Sequence, residues 1–168
     1  MYSLNVPVPG AVERLAADLH PRLTPFDRVR DRHTLVCKRF EADEGDYDHL
    51  RERLRVTLSP TPAFEAQITG IDTFETPTHG PGPVVYLAVE SPGLHDLHRR
   101  LVDAFGAVHD ELEGEAYVPH VTLARGDGRD ALADLCTLDI EPITWTVSEL
   151  HLWSRARRET AWRVSLPR

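Results

Sequence analysis

Apolar and polar positions alternate from the start of the chain. Tyr2, Leu4, Val6 and Val8 fall on one side, with Ser3, Asn5 and Pro7 on the other, so the first element is a strand with one buried face. Pro9-Gly10 breaks it. Val12, Leu15, Ala16 and Leu19 recur at helical spacing. His20-Pro21 stops that helix, because the residue before proline avoids the helical region. A polar connection from Arg22 to Asp31 leads into a second strand, His33 to Phe40. Tyr47, Leu50, Leu54 and Leu58 predict a second helix, closed by Ser59-Pro60-Thr61-Pro62. Phe64, Ala66 and Ile68 alternate as a strand, which Gly70 to Phe74 continues after a bend.

The proline-rich stretch from Thr76 to Pro83 reads as a hairpin connection, and Val84 to Val89 is an unbroken apolar run suited to a central strand covered on both faces. Ser91-Pro92 supplies a cap and a proline for a third helix, with Leu94, Leu97, Leu101 and Phe105 as its buried stripe and Gly106 at its end. An acidic loop from Asp110 to Glu115 precedes the stretch Val118-Pro119-His120-Val121-Thr122-Leu123-Ala124-Arg125. There Val121 and Leu123 share one strand face, and His120 and Thr122 share the other. Arg129 to Cys136 reads as a short helix. Ile143, Trp145 and Val147 alternate, and the phase then shifts to Leu150 and Leu152, which predicts a bulge near Ser148-Glu149. The basic turn Arg155 to Arg158 leads to a last strand with Trp162, Val164 and Leu166 on one face.

Strands and helices interleave, and several strands are joined by tight turns. The pattern is α+β with antiparallel pairs. The order strand, helix, histidine-bearing strand, helix occurs twice, starting at Tyr2 and at Val84. We therefore expect one domain over residues 1–168, built from two pseudo-symmetric lobes, with His33 and His120 facing one cleft.

The 168 residues and 41% hydrophobic content allow one compact core. No signal peptide or membrane-spanning run is legible, and Cys37 and Cys136 read as reduced core residues without zinc or disulfide spacing. A cytoplasmic monomer without metal or cofactor is the expectation. The formal net charge of −8 argues against broad duplex binding but allows a local basic pocket. Lys38 is the sole lysine, so arginine carries nearly all the positive charge.

Two histidines across a cleft suit phosphoester chemistry. One, neutral, takes a proton from attacking water, and the other, protonated, supplies one to the leaving alkoxide. Each role contributes roughly 10²–10⁴-fold, and together they give a bell-shaped pH profile. A neighbouring hydroxyl holds a non-bridging oxygen. Arg125, just past the second motif, is placed to meet a phosphate.

The paired histidine strands resemble the two-histidine phosphoesterase superfamily, and within it the RNA 2′,3′-cyclic phosphodiesterase or 2′-5′ RNA ligase family. The likeness covers nearly the whole chain and includes the Gly-Ile-Asp-Thr-Phe bend, the Pro119 to Arg125 motif and the closing Val147 to Leu166 hairpin. It implies a bilobal, LigT-like α+β fold, with antiparallel sheets lining a central cleft and helices outside. It also implies metal-independent opening of a terminal 2′,3′-cyclic phosphate to a 2′-phosphate, with 2′-5′ joining as the reverse reaction. His33 and His120 would be the catalytic pair, with Thr122, Thr34 and Arg125 on the substrate.

The first motif departs from the family pattern of His-x-Thr or His-x-Ser. Its hydroxyl, Thr34, directly follows His33, and Leu35 stands where the family places the hydroxyl. Either a bulge turns Thr34 inward, or this half lacks its hydroxyl and Lys38 or Arg39 supplies charge instead. Other readings of the same fold are a small cyclic-nucleotide or ADP-ribose cyclic phosphodiesterase and a noncatalytic RNA-end-binding module. His95 and His98 read as a solvated helix face, Asp110 to Glu113 as an acidic solvent loop, and Trp145 and Trp162 as core. Tyr117 is a candidate for base stacking. His49, His79, His109 and His151 have no patterned partner.

Overall fold

A computed structural model describes residues 1–168. The first strand, β1, is Tyr2–Val6, and α1 follows over Gly10–Leu19. The polar connection contains a short strand, β2, at Phe26–Val29, and β3 is Leu35–Phe40. Then come α2 (Tyr47–Leu58), β4 (Phe64–Phe74), β5 (Val84–Glu90) and α3 (Pro92–Phe105). The chain finishes with β6 (His120–Asp127), α4 (Leu132–Cys136), β7 (Ile143–Val147), β8 (Glu149–Ser154) and β9 (Glu159–Ser165).

All nine strands form one antiparallel sheet in the order β7-β4-β5-β6-β3-β1-β8-β9, with β2 also paired to β6. β7 and β8 lie towards opposite ends of this order, yet only Ser148 separates them. The sheet must therefore roll until its ends approach, and the Ser148 carbonyl accepts from Leu166 N–H at 2.8 Å. The phase shift in the sequence thus marks a crossing between sheet ends, where a bulge within one strand was expected.

Alternation decides what each face does. Tyr2, Leu4 and Val6 of β1, Leu35 of β3, Val121 of β6 and Leu87 of β5 join the apolar stripes of all four helices in one core. The opposite face lines a cleft. Two bulges keep this division. Thr69 is the extra residue in β4, so that Ala66 and Ile68 before it and Ile71 after it all reach the core. Leu123 is the extra residue in β6, so that Tyr86 stands opposite Thr122 while Val84 stands opposite Arg125. Val84 and Tyr86 share a strand face, so Arg125 is returned to the face of His120 and Thr122.

Ser91 caps α3 by accepting from Leu94 N–H at 3.2 Å, and Pro92 occupies the first turn. On the same helix His98 is buried, contrary to a solvated face. Its Nδ1 bonds the Cys37 carbonyl at 2.7 Å, its Nε2 accepts from Gly114 N–H at 2.8 Å, and its ring stacks on Tyr117 at 3.9 Å. Tyr117 is thereby structural, with its hydroxyl donating to the Val36 carbonyl. The acidic loop also turns inward. Glu113 pairs with the buried Lys38 and accepts the backbone N–H of Val108 and His109. Cys37 is buried, but Cys136 is exposed, which corrects its core assignment. Trp145 and Trp162 pack against the core as expected. No helix is long and apolar enough to cross a membrane.

Candidate functional site

His120 opens β6 on the cleft face. Its Nδ1 lies 2.7 Å from the Val118 carbonyl, which can only accept, so Nδ1 carries the proton and Nε2 is left with a lone pair. The ring is held edge-on by Phe74 at 5.2 Å and 89°, and beside Tyr86 at 5.2 Å and 60°. Phe74 and Tyr86 in turn lie 4.3 Å apart. Burial lowers the imidazole pKa, the Val118 bond raises it and the charge of Arg39 lowers it, with a net downward shift. His120 is therefore an oriented, neutral base. Thr122, two residues on, presents its hydroxyl to the same face.

Arg39 shares that face, because it pairs with Ser3 between the core pairs Tyr2–Phe40 and Leu4–Lys38. The alternatives left open for the first half are thus separated: Lys38 goes to the core and Arg39 to the cleft. Arg125 is clamped by the turn between β4 and β5. Its Nε donates to the Pro81 carbonyl at 3.1 Å, and its Nη2 donates to the His79 carbonyl. Gly80 is required here. Its φ is +76°, and a Cβ would stand 2.7 Å from the Arg125 Nη2.

No hydrogen bond or ring contact joins His33 to His120. Leu35 pairs with Val121, and both belong to the core face, whereas His33 precedes β3 and is placed by its bond to α1. Its imidazole is largely covered, and Nδ1 lies 2.7 Å from the Glu13 carboxylate of α1. The residues before Leu35 do not continue the strand, since Arg30 N–H already donates to the Leu123 carbonyl, leaving 31–34 as an excursion opposite Thr122 alone. Thr34 is exposed in that excursion. Arg32 turns to the cleft face, where its guanidinium lies 4.3 Å over the ring of Trp153, whose strand partner is Ser3. Thr122 and Arg125 therefore share the strand face of His120, while His33 is bonded to Glu13 of α1.

The histidines without patterned partners do find some. The ligating atoms of His79, His109 and Glu111 lie within 4.8 Å of one another at the surface, a donor set of the kind that divalent zinc accepts. Sequence spacing could not show this, because the three come from two separate loops. The cleft itself presents one imidazole, hydroxyls and arginines, a set suited to phosphate and without clustered metal ligands.

Fold and site together define an α+β scaffold: a rolled antiparallel sheet with an oriented histidine and arginines on its open face. The family model of the 2′-5′ RNA ligase superfamily matches residues 12–159, and the chain belongs to that superfamily. It is 28% identical over 135 residues to "Putative phosphoesterase OB1230" of Oceanobacillus iheyensis, covering 80% of this chain and 75% of that one. Two solved structures share the fold at 17% identity and a TM-score of 0.68. One is TT0787 of Thermus thermophilus, covering 98% of this chain and 97% of that one. The other is Escherichia coli LigT in complex with 3′-AMP, covering 99% and 98%.

Proposed function

We propose that this protein is a phosphoesterase that opens RNA 2′,3′-cyclic phosphate ends to 2′-phosphates. The observation that carries the proposal is the tautomer of His120. The Val118 carbonyl holds the proton on Nδ1, so Nε2 faces the cleft as an acceptor beside the Thr122 hydroxyl. Nε2 takes the proton of a water as its oxygen bonds to phosphorus. The bond from phosphorus to the ribose 3′ oxygen breaks, and that oxygen takes a proton from solvent. Thr122 donates to a non-bridging oxygen, and Arg39 opposes the charge that builds there.

The position of His33 favours a second reading, an RNA-end-binding module that does not turn over. Both readings are tested with a short RNA carrying a 2′,3′-cyclic phosphate, with EDTA present, using wild type, His120→Ala and His33→Ala. The phosphoesterase reading expects wild type to yield the 2′-phosphate, and His120→Ala to lose roughly 10²–10⁴-fold. His33→Ala should lose far less. Binding without product in wild type would establish the module instead.

A further inference from the structure

The arginines of β2 were absent from the sequence-derived site. β2 pairs with β6 just beyond Thr122, and the pairing sets Arg28 directly opposite Arg125. Arg28, Arg30 and Arg125 line one side of an open cavity of about 520 Å³, which the Gly80-Pro81 turn closes on the other. None of the three guanidinium groups is in an ion pair with a carboxylate; the ion pairs of the structure use other groups. Burial, Arg30 and Arg28 together lower the pKa of Arg125, so the other two cations lie close enough to act on it. Asp27 and Asp31 line the same cavity, so the three arginines outnumber its carboxylates by one. The Asp27 carboxyl shares a hydrogen bond with Asp127, which with burial and the Asp127 charge raises its pKa against the lowering effect of Arg28.

From this geometry we infer that the Arg28–Arg30–Arg125 groove holds the phosphodiester backbone of a single-stranded RNA whose terminal phosphate lies at His120 and Thr122. The inference rests on the phosphoesterase reading for the terminal phosphate and adds the substrate class, a polynucleotide chain and not a mononucleotide. Because of the Leu123 bulge, Thr122 and Arg125 stand opposite Tyr86 and Val84, roughly 7 Å apart along the strand, so an anion in the groove is a different group from the one at Thr122. The clamp on Arg125 uses its Nε and Nη2, which leaves Nη1 for a phosphate oxygen. The formal net charge of −8 disfavours broad contact with nucleic acid, which leaves binding to local basic groups such as this one. Engaging two or three backbone phosphates gives a salt slope of about −1.4 to −2.1 for log affinity against log salt.

The test uses RNAs of one, two and four nucleotides in two series. One series ends in a 3′-phosphate, which offers no ester to open, and is read by binding. The other ends in a 2′,3′-cyclic phosphate and is read by kcat/KM. Wild type is compared with Arg28→Gln/Arg30→Gln, with the charge-retaining Arg28→Lys/Arg30→Lys, and with Arg99→Gln, which lies on α3 away from the groove. We expect wild-type affinity to rise about tenfold or more from one to four nucleotides. The glutamine pair should flatten that dependence and the salt slope, the lysine pair should restore most of both, and Arg99→Gln should match wild type. Length-independent binding in wild type, or a length dependence that survives in the glutamine pair, overturns the groove. The two proposals fail separately. Length-dependent binding with no opened ester leaves the groove standing and removes the phosphoesterase reading. Equal kcat/KM for mononucleotide and tetranucleotide, with flat binding, does the reverse.

Discussion

The carbonyl of Val118 decides which nitrogen of His120 is available. It accepts from Nδ1 at 2.7 Å, so the imidazole is a base at Nε2 and cannot present the other tautomer without losing that bond. Burial, outweighing the Val118 bond and assisted by Arg39, places its pKa below the ordinary 6.5. Turnover should therefore rise with pH through that depressed value and stay flat above neutrality. A kcat/KM profile with a single ascending limb is expected. A descending limb near neutrality would reveal a second titrating group, the role that paired histidines would give His33.

The two threonines should separate in the same assay. Thr122 faces the cleft beside His120, whereas Thr34 lies exposed in the excursion before β3. Thr122→Ala should lower kcat roughly 10²-fold, the scale for one oxyanion donor, and Thr34→Ala should change it little. Single-turnover rates at saturating RNA check this without interference from binding.

Lys38 and Glu113 form a buried pair whose remaining valences are filled. Lys38 also donates to the Arg39 carbonyl at 3.0 Å, and Glu113 accepts from Val108 and His109 N–H. Burial pushes the Glu113 carboxyl up. The Lys38 bond and the backbone donors outweigh it and hold the group below the usual carboxylate range. Its contribution to stability is thus present above the ordinary carboxylate pKa and lost as pH falls through the lowered one. Glu113→Gln strands the ammonium and should cost about 3–5 kcal/mol in urea unfolding. Adding Lys38→Met should recover part of that loss, a coupling measured by the double-mutant cycle.

Gly80→Ala tests the clamp on Arg125. The substitution forces an L-residue into φ +76° and sets a Cβ 2.7 Å from the guanidinium. The conformation alone costs about 1–2 kcal/mol. Thermal unfolding should fall by that amount, and RNA affinity should fall alongside as Arg125 is displaced.

The periodicities carried most of the fold. The helix from Tyr47 to Leu58 and the capped helix after Ser91 lie where their apolar spacing put them. The bend after Ile68 proved to be the Thr69 bulge. What the sequence hid was set by distant partners. β2 has no alternation of its own and exists because β6 offers an edge. His98 and Glu113 look like surface residues by type, although His98 lies on the apolar stripe of its helix, and each polar group is satisfied inside by partners distant in sequence, Cys37 and Lys38. At the site, His120, Thr122 and Arg125 were legible from one strand, although the bulge that unites their faces was not. His33 was chosen for its residue type. Its bond to Glu13 of α1 decides its place, a contact between residues twenty apart that the spacing of the His33 strand does not reveal.

The single-residue passage at Ser148 has a consequence for synthesis. β1 is made first, yet one of its two neighbours is β8, nearly 150 residues later. Until residues 149–154 have been made, the earliest strand of this sheet keeps one edge open, and the barrel-like roll cannot shut. The emerging chain is therefore a template in waiting, exposed to edge-to-edge association with other unfinished copies, and its last hairpin acts as the latch that ends that exposure.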